Sequence, residues 1–75
     1  MTIVKIDRSN IVVLSNRVVN DDNLSWEVVG LFAYLAGQDR PMTLEELLAL
    51  ERGKDESMVR RAISELERAG YIALE

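Results

Sequence analysis

In the stretch TLEELLALERGKDESMVRRAISELERAGYIAL, residues 43–74, two helix starts and two helix stops follow one another. Thr43-Leu44-Glu45-Glu46 has the pattern of a capping box: the Thr hydroxyl takes one free N-terminal amide, and the Glu three residues on reaches back to the cap. The helix it opens runs through Leu47, Leu48 and Leu50, and Gly53 ends it about three turns later. Asp55 then caps a further helix over residues 56–69, with Val59, Ala62, Ile63, Leu66 and Ala69 recurring on an inward face and Gly70 as the stop. Its outward face carries Ser57, Arg60, Arg61, Ser64, Glu65 and Arg68. Tyr71-Ile72-Ala73-Leu74, apolar and partly β-branched or aromatic, reads as a strand.

Upstream, Ser25 is the cap of a core helix over residues 26–36, with Glu27 where the N-terminal dipole favours an anion and Gly37 at the stop. Val28, Leu31, Phe32 and Leu35 form its buried stripe. Trp26 and Tyr34 beside that stripe read as core, with base stacking as the alternative. Residues 38–42 connect this helix to the capping box. Residues 15–23 read as a short helical turn followed by a loop, because Asn20-Asp21-Asp22-Asn23 compete for backbone hydrogen bonds and favour turns. Near the start, residues 2–7 alternate apolar and polar and residues 11–14 are a β-branched run, separated by Arg8-Ser9-Asn10. An N-terminal β-hairpin is expected, the alternative being a loose arm before a single strand.

Composition narrows the function. With 48% hydrophobic and 29% charged residues the 75-residue chain is built as one packed domain, over residues 1–75, at a size where each apolar side chain counts. It has no Cys and no His, so disulfides, thiolate or imidazole metal sites and the commonest general base are all missing. Its only lysines are Lys5 and Lys54, and no Ser stands on a strained elbow, so nothing prepares a nucleophile and no catalysis is expected. Asp21 and Asp22 lack the Gly-spaced ligand set of a calcium loop and read as a solvated turn, and no cofactor or metal is expected. The longest charge-free run, residues 28–38, is far short of the ~20 apolar residues that span a bilayer, and the N-terminus has no basic start followed by an apolar run. A cytoplasmic location without membrane association is expected.

The net charge of −4 is uneven. Residues 1–20 carry three basic and one acidic side chain, residues 21–50 one basic and six acidic, and residues 51–75 five basic and six acidic. An acidic whole opposes non-specific binding to a phosphate backbone, whereas the outward arginines of the last helix favour it locally.

From Leu14 to Leu74 the sequence resembles the winged-helix domains at the N-termini of phage and plasmid replication proteins and related small regulators. The resemblance is carried by Leu24-Ser25-Trp26, by Gly30-Leu31-Phe32-Ala33-Tyr34-Leu35, by Thr43-Leu44-Glu45-Glu46-Leu47 and by the closing run of residues 59–72. It implies an α+β winged helix-turn-helix: a three-helix bundle with a small antiparallel sheet made from the N-terminal hairpin and the C-terminal strand, from which this sequence departs in that the wing is expected to be truncated after that strand. It also implies DNA binding through the last helix, in replication or transcription regulation. Ser57, Arg60, Arg61 and Ser64 would face bases and phosphates, Arg68 would extend that face, and Arg52 and Lys54 would lie beside the backbone. Such binding would use a homodimer, with Tyr71 and Ile72 as its apolar surface. Glu56, at the start of this helix, departs from the pattern by repelling phosphate.

The alternative is an acidic protein-interaction domain, an inhibitor or adaptor docking on a nucleic-acid-handling protein. Asp21, Asp22, Glu27, Glu45 and Glu46 would then meet a basic partner surface, and no small-molecule substrate is implied by either reading.

Overall fold

Four local capping interactions start the four helices. In the computed structural model, which describes residues 2–6, 8–9, 11–50 and 55–74, these are α1 (Asn16–Val19), α2 (Trp26–Ala36), α3 (Leu44–Leu48) and α4 (Glu56–Arg68). Ser15 accepts a hydrogen bond from the Arg17 amide, Ser25 from Val28, Thr43 from Glu46 and Asp55 from Met58. At α3 the box closes in both directions, since the Glu46 carboxylate also accepts from the Thr43 amide at 3.1 Å.

Helix α4 is the centre of the molecule. Val59, Ala62, Ile63 and Leu66 lie within an arc of about 100° on one side of it, and all four are buried. Ala62 and Leu66 pack with Val18 of α1 and Val28 of α2, joined by Leu24, Phe32, Tyr71 and others. Val59 and Ile63 pack with Leu47 of α3, joined by Tyr34, Leu35, Met42 and Leu44 among others. Leu31, Met58 and Ile72 touch both clusters and make them continuous.

The end of α4 is set by Gly70, whose φ of +84° lies in the left-handed region. There the Gly70 amide donates to the Glu67 carbonyl and the Tyr71 amide to the Leu66 carbonyl, both at 3.0 Å. These are the paired bonds of a Schellman turn, and the accompanying apolar contact is present too, with Tyr71 packed in the cluster of Leu66. The turn sends Tyr71 and Ile72 straight back into the core.

The expected α+β architecture is not found: among the described residues there is no strand and no sheet. Neither residues 2–6 nor residues 11–14 pair, and residues 71–74 form no ladder. A two-stranded hairpin is marginal in water unless one face packs on something. Here Val4 and Val13 are each 86% exposed and Ile3, Ile6 and Ile11 are also out in solvent, so these apolar side chains bury little to offset the entropy of ordering a hairpin. At the C-terminus Tyr71 and Ile72 enter the core through their side chains alone. Being half-buried there, they do not form the exposed apolar surface expected of a dimer contact.

Helix α3 is also shorter than expected. It stops at Leu48 with Ala49 as its C-cap, and the Leu50 amide donates to the Leu47 carbonyl at 3.2 Å, tightening the last turn as Leu50 joins the second cluster. A helix of this length is unstable alone, so packing rather than propensity sets its end. The turn assigned to Gly53 lies outside the described residues. No helix among the described residues is long and apolar enough to cross a membrane.

Candidate nucleic-acid interface

The side of α4 opposite the core is the largest continuous set of residues singled out by the sequence. At about 100° per residue, Ser57, Arg60, Arg61, Ser64 and Arg68 fall within a single arc of roughly 100°. All five are exposed. Helical order and burial together therefore collect the candidate residues on one stripe, held against the body of the protein by the buried residues behind them.

The stripe is basic along its middle and acidic along its edges. Glu56 and Glu67 lie on one flank and Glu65 on the other, by the same rotation. Arg60 is held by Glu56, its Nε donating to Oε1 at 3.0 Å with a second nitrogen at the same distance. Both side chains are more than half exposed, so the pair is weak and gives way readily to a competing phosphate. Neither Arg61 nor Arg68 has an ion pair among the described residues. Asp55 has its carboxylate committed to the Met58 amide at 3.1 Å, so the N-terminus of α4 is already capped. Arg52 and Lys54, placed beside the backbone by the sequence, lie outside the described residues.

The five carboxylates of the acidic reading sit in different surroundings. Asp21 accepts from the Asn23 amide at 2.9 Å and from the Tyr71 hydroxyl at 2.8 Å. The first of these bonds, then the second, holds its carboxyl below the usual range, with Arg17 adding to the effect. Glu46 receives both arms of the Arg40 guanidinium as well as the Thr43 amide, and these bonds pull its pKa down to about 2. Glu27, Glu46 and Glu45 each line a separate surface depression. Among the described residues no three acidic side chains gather as metal ligands would.

Two features were missed from the sequence, and only the second, Trp26, had a signal there, since at about 100° per residue it lies opposite the stripe of Val28, Leu31, Phe32 and Leu35. Tyr71 bonds Asp21 across fifty positions, lies edge-on to Phe32 with ring centroids 6.2 Å apart, and has the Arg17 guanidinium 5.3 Å from its own centroid. The bond to Asp21 raises the pKa of the phenol, and this cluster ties the C-terminal segment to α1 and α2. The second is Trp26, read from the sequence as core. It is 93% exposed on the first residue of α2. Ser25 and Glu27 on either side of it line a depression of about 280 Å³ whose far wall includes Arg61 and Glu65 of α4.

Comparison of the chain with protein-family models, with curated proteins and with solved structures gave no match.

Proposed function

We propose that this domain is a DNA-binding module, not an enzyme, and that the exposed face of α4 is its contact surface. The observation that carries the reading is the grouping of Arg60, Arg61 and Arg68 with Ser57 and Ser64 on one exposed stripe of the helix that anchors the core. Arginine pairs with phosphate or with the guanine edge through two parallel hydrogen bonds, and serine serves either group. A face this small reads few bases, so a dimer on two half-sites is the natural mode for specific binding. The acidic-surface alternative has less support, because Asp21 and Glu46 are already satisfied by partners within the chain.

The test is affinity for duplex DNA at about 50 mM and about 200 mM salt, for the wild type and for an Arg60→Ala/Arg61→Ala double variant. Binding should fall steeply with salt, and the variant should lower the logarithmic salt slope by about one unit for each phosphate it no longer neutralises. No binding by the wild type to either duplex or single-stranded DNA at low salt, or binding that the variant retains in full, would rule out this face.

A further inference from the structure

Helix α2 is apolar on nearly every side, since Glu27 is the one charged residue among its eleven. A helix of this composition is normally buried all round, yet α2 is covered on one side only. Val28, Leu31, Phe32 and Leu35 face the core. Trp26, Val29, Gly30, Ala33 and the C-cap Gly37 fall within an arc of about 100° on the opposite side. In that arc Trp26 is 93% exposed, Gly30 and Gly37 are exposed, and a Cβ built on Gly30 meets nothing within 4 Å. Trp26, the chain's single tryptophan, makes no hydrogen bond or ring contact among the described residues.

This face is complementary to itself. Where two helices pack closely, a side chain of one inserts into a hole between four residues of the other, spaced i, i+3, i+4 and i+7. Gly30, Ala33, Tyr34 and Gly37 have this spacing, and three of them carry at most a methyl group, so the hole has room for an indole. Gly30 and Tyr34 also border an apolar hollow of about 170 Å³ that runs on from the hole toward Leu47 and Leu50. Trp26 lies about 6 Å along the helix axis from Gly30, and the middle of the hole lies about 5 Å from it in the other direction. Two antiparallel copies of α2 that cross at Gly30 therefore bring each indole over the other's hole, and a glycine at the crossing lets the backbones approach. The same alignment sets Glu27 level with Phe32 and Ala33, so no two carboxylates meet. Elsewhere the segment of residues 21–50, with six acidic side chains and one basic, repels a second copy of itself.

We infer that the outer face of α2 pairs with the same face of a second copy of the chain, in a two-fold dimer in which each Trp26 fills the other's hole. One patch serves both copies, as two-fold symmetry requires. Two indoles buried in this way remove about 300–500 Å² from water, and the rest of a face about 16 Å long is made of small side chains. The interface therefore stays below the ~1,200 Å² of a standard complex, and the dimer is weak and concentration-dependent. No residue of the α4 stripe takes part, so the pairing stands apart from the DNA-binding reading.

The experiment is sedimentation equilibrium of the full chain without DNA, from about 20 µM to about 1 mM, where weak complexes assemble. Tryptophan emission is recorded on the same samples and reports Trp26 alone, because there is no other tryptophan. With rising concentration the mass should climb from monomer toward dimer, and the emission should shift to the blue as the indole leaves water. Trp26→Ala should weaken association at least about tenfold. Gly30→Glu, which sets two carboxylates at the crossing, should abolish it over this range. Circular dichroism of dilute samples separates folding from association: Gly30 has open space for a Cβ and glutamate suits a helix interior, so both variants should keep the wild-type spectrum. A chain that stays monomeric up to about 1 mM overturns the inference. A dimer whose emission does not shift, or one that Trp26→Ala and Gly30→Glu leave intact, overturns it too, because such a dimer uses another surface. The α4 face is tested separately, by the Arg60→Ala/Arg61→Ala variant.

Discussion

Replacing Gly70 with Ala isolates the backbone cost of a left-handed turn. Gly70 has φ +84°, and a Cβ built on it would meet no other atom within 4 Å, so no steric clash contributes. The penalty is therefore conformational: about 1–2 kcal/mol for an L-residue in the left-handed region, reduced by about 0.4–1 kcal/mol because alanine also restricts the unfolded chain. The net destabilisation should be near 1 kcal/mol. A 75-residue domain at ~0.05–0.15 kcal/mol per residue holds about 4–11 kcal/mol in all, and 1 kcal/mol lowers the melting midpoint of such a chain by roughly 4–8 °C.

Gly30 provides the internal control. It lies in the exposed interior of α2, again with nothing within 4 Å of a built Cβ, but without a positive φ. Gly30→Ala should stabilise by about 0.5–1 kcal/mol, the ordinary preference of a helix interior for alanine. Thermal unfolding followed by far-ultraviolet circular dichroism should thus move in opposite directions for the same substitution at two positions. Gly70→Asn should fall between wild type and Gly70→Ala, since asparagine tolerates the left-handed region better. A Gly70→Ala midpoint equal to or above that of the wild type would refute the Schellman turn as the device that ends α4.

Two further outcomes are expected. Glu46 has its folded pKa lowered to about 2 by Arg40 and Thr43, so in acid the unfolded chain binds the proton first and stability rises with pH. The stability of the wild type relative to Glu46→Gln should therefore increase as pH is raised from about 2 to the ordinary carboxylate range and stay constant above it, as followed by urea unfolding at several pH values; a flat difference across that window would remove the Arg40–Glu46–Thr43 network as a source of stability. A chain beginning at Leu14 should melt within about 2 °C of the full chain, because residues 2–6 and 11–13 are exposed and belong to neither core cluster. A fall of several degrees in differential scanning calorimetry would mean that the arm packs after all.

Much of the helical framework is legible because the interactions that start and stop helices are local. Ser25, Thr43 and Asp55 cap amides three residues away, and the pattern of Val59, Ala62, Ile63 and Leu66 repeats within one helix, so a reading of neighbouring residues suffices. The same periodicity is enough to place the arginines and serines of α4 together on one polar side. Gly37 and Gly70 look alike as helix stops, yet only Gly70 takes a positive φ.

The sheet depended on something that no stretch of sequence contains. Alternating and β-branched residues such as Ile3, Val4, Val12 and Val13 meet the local requirement for strands, but a strand persists only with a partner and a surface to cover, and the core is already closed by α1, α2, α3 and the side chains of Tyr71 and Ile72. The bond between Asp21 and Tyr71 was decided in the same way, by which elements meet in space, whereas the exposure of Trp26, opposite the apolar stripe of α2, follows from the helical period. Local chemistry along the chain thus determined where the helices begin and which face of α4 is polar. Tertiary packing decided which apolar residues outside the helical stripes are buried, because burial there requires a partner surface and that surface comes from residues distant in sequence.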